Sequence, residues 1–284
     1  MNTHTWGLLS MVPTLIVGAC SDDSGTSNDT RGDISQEVAA DVTPDVTPDT
    51  SEHTTDSVMI EHGDVDPSAA NVCGPAPWVR TSVVLSEWSS SPPKPITGAV
   101  ATFSTCPDKS VVSDDTGALV AYATREVPLY GKLSAPGYVT MSGPELLFTE
   151  DMEGADWLLP EAMLAVVPSW SSDAPTMLVI VSSDPTTEAS SPCASAEGVV
   201  VSIADHPEAV VTYYEAGAIP LPSTSLTATS AAGVAIVSGL QAGTTVEPVA
   251  VKVGCNATFK VTFHTGRYPL ENGVLSRAGA LLTD

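Results

Sequence analysis

Gly98-Ala99-Val100-Ala101-Thr102-Phe103 and, further along, Gly198-Val199-Val200-Val201-Ser202-Ile203 are the runs on which the fold turns. Each opens on a glycine and continues with small and β-branched apolar residues over a length too short for a helix, which fits a pleated, half-buried strand. Runs of the same kind recur at 82–85, 118–123, 129–133, 177–181, 210–214, 234–237, 249–253 and 259–263, each four to six residues long and separated by Gly and Pro. The last, Phe259-Lys260-Val261-Thr262-Phe263, alternates strictly. This spacing predicts an all-β protein of two small antiparallel β-sandwich domains, spanning 73–168 and 175–284, with the junction near Pro168–Pro175. One helix is expected over 158–167, where Pro160 fits the first turn and Pro168 the stop.

The two halves read as a diverged repeat. The opening runs correspond, and Asp114-Asp115-Thr116-Gly117-Ala118-Leu119 corresponds to Ser230-Ala231-Ala232-Gly233-Val234-Ala235. In both, a polar residue caps a turn whose glycine supplies the positive φ before the next strand. A Pro-containing insertion around 213–227 lengthens the second copy.

The N-terminal quarter has a different character. Residues 8–18 are apolar apart from Ser10 and Thr14. Eleven helical residues rise only about 16 Å, short of a ~30 Å hydrocarbon core, so the stretch reads as the core of an export leader. Val17-Gly18-Ala19-Cys20 resembles the lipobox of bacterial lipoproteins, which implies cleavage after Ala19, acylation of Cys20 and attachment to a membrane by lipid. Ser21 rather than Asp follows the cysteine, which in such lipoproteins implies the outer membrane; which face it occupies is left open. The first 19 residues hold no Lys or Arg, a departure from the usual leader. The alternative is an ordinary signal peptide that leaves Cys20 a free thiol.

Residues 21–72 carry 13 acidic side chains against Arg31 alone and have no aromatic residue. Such a segment cannot bury enough surface to offset chain entropy, so 20–72 is expected to be a disordered acidic tether. It would hold the folded part on the order of 40 Å from the membrane as a coil and reach ~175 Å at full stretch. Arg31-Gly32-Asp33 copies an integrin-binding triplet, and chance in a Gly/Ser/Asp-rich stretch accounts for it.

Within the first half, Gly98-Ala99-Val100, Asp115-Thr116-Gly117-Ala118-Leu119 and Leu129-Tyr130-Gly131-Lys132-Leu133-Ser134-Ala135-Pro136-Gly137-Tyr138 resemble the carboxypeptidase regulatory-like family. The resemblance covers 97–140 and, more thinly, 196–263, where the closing Gly-Tyr is missing. It implies prealbumin-like sandwiches that space, stiffen or bind and carry no reaction of their own.

No catalytic constellation emerges. His206-Pro207-Glu208 has neither the spacing nor the helix of a zinc peptidase; there is no Gly-x-Ser-x-Gly elbow or phosphate loop, and no cofactor or metal is expected. Cys73, Cys106, Cys193 and Cys255 lack Cys-x2-Cys spacing and are expected to form disulfides after export. Of three possible connectivities, locality favours Cys73–Cys106 and Cys193–Cys255. A net charge of −24 argues against nucleic acid. The remaining partners are a membrane, through the N-terminal lipid, and an envelope protein or polysaccharide. Candidate ligand contacts are Trp78 and Trp88, whose rings can stack on sugars, and Tyr213 and Tyr214, of which strand alternation puts one outward. The leading expectation is a non-catalytic surface lipoprotein for adhesion or envelope interaction. A carbohydrate-binding module and a hydrolase with an unrecognised site are the alternatives.

Overall fold

The structure, a computed structural model, describes residues 65–284 other than 89, 168, 169, 218–220 and 261. The leader, Cys20, the Arg31-Gly32-Asp33 triplet and nearly all of the tether lie outside the described residues. The fold is all-β. The first half contains β1 (Val72–Cys73), β2 (Trp78–Glu87), β3 (Val100–Phe103), β4 (Cys106–Val112), β5 (Ala118–Thr124), β6 (Gly131–Ser134), β7 (Met141–Ser142) and β8 (Met152–Leu158). The second contains β9 (Thr176–Ser183), β10 (Val200–Ile203), β11 (Val210–Glu215), β12 (Leu221–Ser223), β13 (Val234–Ser238), β14 (Thr245–Val246), β15 (Pro248–Val251), β16 (Asn256–Thr258), β17 (Tyr268–Pro269) and β18 (Leu275–Thr283).

One sheet runs β1-β5-β2-β8, and the largest runs β12-β11-β13-β9-β18-β7-β6-β3-β4 with β16 branching from β18. The largest sheet joins the two halves: β7 pairs in parallel with β18 and antiparallel with β6. Parallel ladders also link β2 to β8 and β9 to β18, so the sheets are mixed. At β9 and β13 the sheet is covered on both faces. Met177, Val179, Ala235 and Val237 enter one core beside Val199, Val201 and Tyr268. Leu178 and Ile236 enter a second core beside Leu158, Leu159 and Trp157 of the first half. Burial on both faces is why Met177-Leu178-Val179-Ile180-Val181 reads as a continuous apolar run rather than an alternating one.

The two halves repeat the same wiring. β2 and β5 pair antiparallel as β9 and β13 do, and β3 and β6 pair antiparallel as β10 and β15 do. The registers agree: Val100 faces Ser134 and Thr102 faces Lys132, as Val200 faces Val251 and Ser202 faces Val249. Gly117 and Gly233 stand at equivalent turns with φ of 80° and 65°. Their carbonyls accept from Leu85 N and Val181 N at 2.8 and 2.7 Å. A Cβ at either glycine would lie 2.4 Å from the carbonyl oxygen of Leu85 or Val181, so backbone contact and φ both demand glycine.

The copies part at one edge. β3 is flanked by both β4 and β6, whereas among the described residues β10 pairs with β15 alone, because β11 and β12 join β13 instead. The outer face of β10–β15 carries Val200, Val249 and Val251, 41–57% exposed, where β6 has Lys132 and Ser134 in the first copy.

Two expectations are corrected. The helix over 158–167 is a 3-10 turn, Glu161–Val166, with Pro160 as its cap. Leu158 ends β8, and with Leu159 it is sealed in the core, so burial as strand takes the residues that helical spacing would have used. Residues 259–263 form no strand among the described residues: Phe259 is buried, and Thr262 at φ 45° breaks the extended backbone. The strand lies just before, at β16, paired to β18.

Candidate functional site

Both expected disulfides are present, Cys73–Cys106 and Cys193–Cys255, each with Cα atoms 5.5 Å apart. The first ties β1 to the start of β4, and the second ties the 3-10 turn Pro192–Ala194 to the residue before β16. Lys109 reinforces the first link: its Nζ donates to the carbonyls of Pro67, Ala69 and Val72 at 2.8–3.1 Å. Among the described residues no group of three or more His, Cys, Asp or Glu is placed to hold a metal ion. No helix among them is long and apolar enough to cross a membrane.

Of the four aromatic candidates only Trp88 and Tyr214 come together. Trp78 is half-buried at the start of β2, with Nε1 donating to Gly74 O at 3.0 Å. Trp88 stacks on Trp157, ring centroids 5.4 Å apart and 23° between planes. The Arg277 guanidinium lies 5.0 Å from the Trp157 ring centroid and grips Asp156 through Nη1–Oδ1 and Nη2–Oδ2, the latter at 2.6 Å. Burial lowers the Arg277 pKa to about 10, which leaves it charged at neutral pH. Arg277 sits on β18 and Asp156 on β8, so this bidentate pair bolts the second half to the first. Beside it, Trp88, Leu159, Met163, Leu178, Tyr214 and Ile236 line a cavity of about 20 Å³, room for a single water and no ligand.

The expectation that one of Tyr213 and Tyr214 points outward is overturned: they are 5% and 3% exposed. Alternation holds, but β11 is covered on both faces, so Tyr213 enters the second-half core and Tyr214 the core shared with the first half. Burial pushes the Tyr214 hydroxyl up to about 12. The Tyr213 hydroxyl accepts from Val201 N at 2.9 Å and donates to Val201 O at 3.4 Å. In the first copy the equivalent residue, Ala101, faces Val111 of β4. Tyr213 therefore stands in for the strand that β10 lacks and blunts an edge that would otherwise expose its backbone.

A second concavity was not legible from the sequence. Glu145–Phe148 and Phe263–Arg267 run antiparallel: Leu147 N donates to Phe263 O at 2.8 Å, Thr265 N to Glu145 O at 3.0 Å and Glu145 N to Arg267 O at 2.7 Å. Arg267 also meets the Glu145 carboxylate at 3.1 Å. Phe263 packs on Phe148 with centroids 5.6 Å apart. Between 147–150 and 262–265 lies a groove of about 370 Å³. His264 lines it with Nδ1 buried and unpartnered, and desolvation pulls its pKa down to about 4.

No family model matches the chain, and no curated protein matches it. Among solved structures it is similar to the Bacillus anthracis TIE protein, at 10% identity and TM-score 0.24 over 72% of this chain and 34% of that one. It is also similar to the shaft pilin SpaA from Lactobacillus rhamnosus GG, at 10% identity and TM-score 0.22 over 73% and 98%. The minor pilin GBS52 from Streptococcus agalactiae follows at 10% identity and TM-score 0.19 over 72% and 97%. Likenesses this distant say nothing of activity or partners.

Proposed function

We propose that this protein is a non-catalytic surface module, held to the outer membrane by an acylated Cys20 and displayed on an acidic tether for adhesion or contact with the cell envelope. The observation that carries the reading is the cysteine inventory. Of five cysteines, Cys73, Cys106, Cys193 and Cys255 are consumed by two disulfides. Cys20 is left for acylation at the foot of the lipobox-like Val17-Gly18-Ala19. Disulfides on both halves suit an oxidising compartment outside the cytoplasm. More than one acyl chain would make the attachment stable without a spanning helix. Fractionation of cells producing the wild type and Cys20→Ala tests the reading: the wild type sediments with membranes and the variant does not. Equal partition of the two would overturn it.

A further inference from the structure

We propose that the groove between 147–150 and 262–265 binds a neutral sugar ring. A pyranose offers a C–H face and a rim of hydroxyls, and it needs one apolar wall with several uncharged or anionic hydrogen-bonding groups around it. The groove supplies that set. Leu147 and Phe263 form the apolar side, and Thr149, Thr262 and Glu150 line the rest. The last three are exposed. A volume of about 370 Å³ lies within the roughly 300–1,000 Å³ of small-molecule sites.

Two local features on the same wall point to a ligand rather than to packing. Thr262 holds φ at 45°, a left-handed conformation that a β-branched residue adopts only under constraint. Two residues on, His264 keeps its buried Nδ1 without a partner, an unmet demand that in a native protein requires a reason. Backbone strain at Thr262, two residues from a buried polar atom without a partner, is the kind of outlier that a site organised in advance of its ligand carries. Charge narrows the class. The chain carries −24 and the groove has Glu150 but no Lys or Arg in its lining, so uronic acids, sialic acids and sugar phosphates are disfavoured.

This deepens the display reading, resting on it for where the sugar would be met and not for binding itself. The test is saturation-transfer NMR on the purified full chain with glucose, galactose, mannose and N-acetylglucosamine, and glucuronic acid as the charged control. Transfer to at least one neutral sugar is expected, weakened tenfold or more by Glu150→Ala and by Thr149→Ala. Thr262→Gly should raise the melting temperature by releasing the strain while weakening sugar binding, a split that a purely structural role would not produce. No transfer to any neutral sugar, equal transfer to glucuronic acid, or binding indifferent to the groove variants would overturn the site. Membrane partition of Cys20→Ala reads the display role separately, so failure of one is distinguishable from failure of the other.

Discussion

Ser113 and Thr229 occupy the same place in the two halves and make the same four hydrogen bonds. Ser113 Oγ accepts from Ala99 N at 2.9 Å and donates to Ile96 O at 2.7 Å; Thr229 Oγ1 accepts from Val199 N at 2.9 Å and donates to Ala196 O at 2.5 Å. Their backbones pair likewise with Gly98 and Ala99, and with Gly198 and Val199, at 2.8–3.0 Å. Both side chains are buried. Each hydroxyl closes the entry to the opening strand of its copy, β3 or β10, which is why a polar residue survives in each core.

Ser113→Ala and Thr229→Ala should each lower unfolding free energy by about 1–3 kcal/mol, since each strands a buried N–H and a C=O that is buried at Ile96 and part-buried at Ala196. Thr229→Ser, which keeps the hydroxyl, should lose clearly less. Urea melts of the three variants check this, and similar losses from both alanine variants would support the equivalence of the halves.

Gly117→Ala and Gly233→Ala meet a carbonyl oxygen 2.4 Å from the new Cβ as well as a positive φ, and should cost at least about 2 kcal/mol each. Gly198→Ala is the control. Its φ is 80° but nothing lies within 4 Å of the Cβ, so only the conformational penalty of about 1–2 kcal/mol applies. Thermal melts should rank the three accordingly.

Tyr213→Phe removes the hydroxyl that caps Val201 and should destabilise by about 1–2 kcal/mol. The ring stays and keeps this part of β10 covered, so the loss should show in urea melts with no change in elution on size-exclusion chromatography.

Burial holds the His264 pKa at about 4 against its ordinary 6.5. The folded state then binds fewer protons than the unfolded state below pH 6.5, and stability falls as pH drops from about 6.5 towards 4. The carboxylates of Asp114 and Asp184 are held below their ordinary range, chiefly by the Thr116 and Thr186 hydroxyls, and they lose their contribution at lower pH still. Wild type should therefore weaken between pH 6.5 and 4.5 by more than His264→Phe does, as measured by urea midpoints across that window.

Asp156→Asn breaks the bidentate partner of Arg277 and leaves a largely buried charge, at a cost of about 3–5 kcal/mol. Because the pair links β8 to β18, native-state hydrogen exchange should accelerate at both strands rather than at β8 alone.

The strand grammar, the glycine turns and the disulfide pairs were legible because each follows from local chemistry or from position: β-branched runs, a turn that needs positive φ, and two cysteines in each half. Several strands were not, and the longest of them are β4, β8 and β18. β4 holds Pro107, Asp108 and Lys109, and β8 holds Glu153 and Asp156, compositions tolerated because each lies at a sheet edge. β18, Leu-Ser-Arg-Ala-Gly-Ala-Leu-Leu-Thr, has few β-branched residues, yet it is the central parallel partner of β9. Ala278 and Ala280 are fully buried there, where small side chains let the neighbouring layer approach. Both tyrosines of β11 misled because alternation predicts one outward residue only when one face of a sheet is wet. The 147–150/262–265 groove is assembled from segments far apart in sequence, with no motif in either.

The measurement that tests the central claim most directly is the non-reduced intact mass of native protein purified from the membrane fraction. A mass for residues 20–284 plus acyl chains, four hydrogens lighter than the fully reduced form, is predicted. An unacylated chain of that or greater length, recovered from the soluble fraction, would contradict lipid anchoring and make the protein a secreted factor.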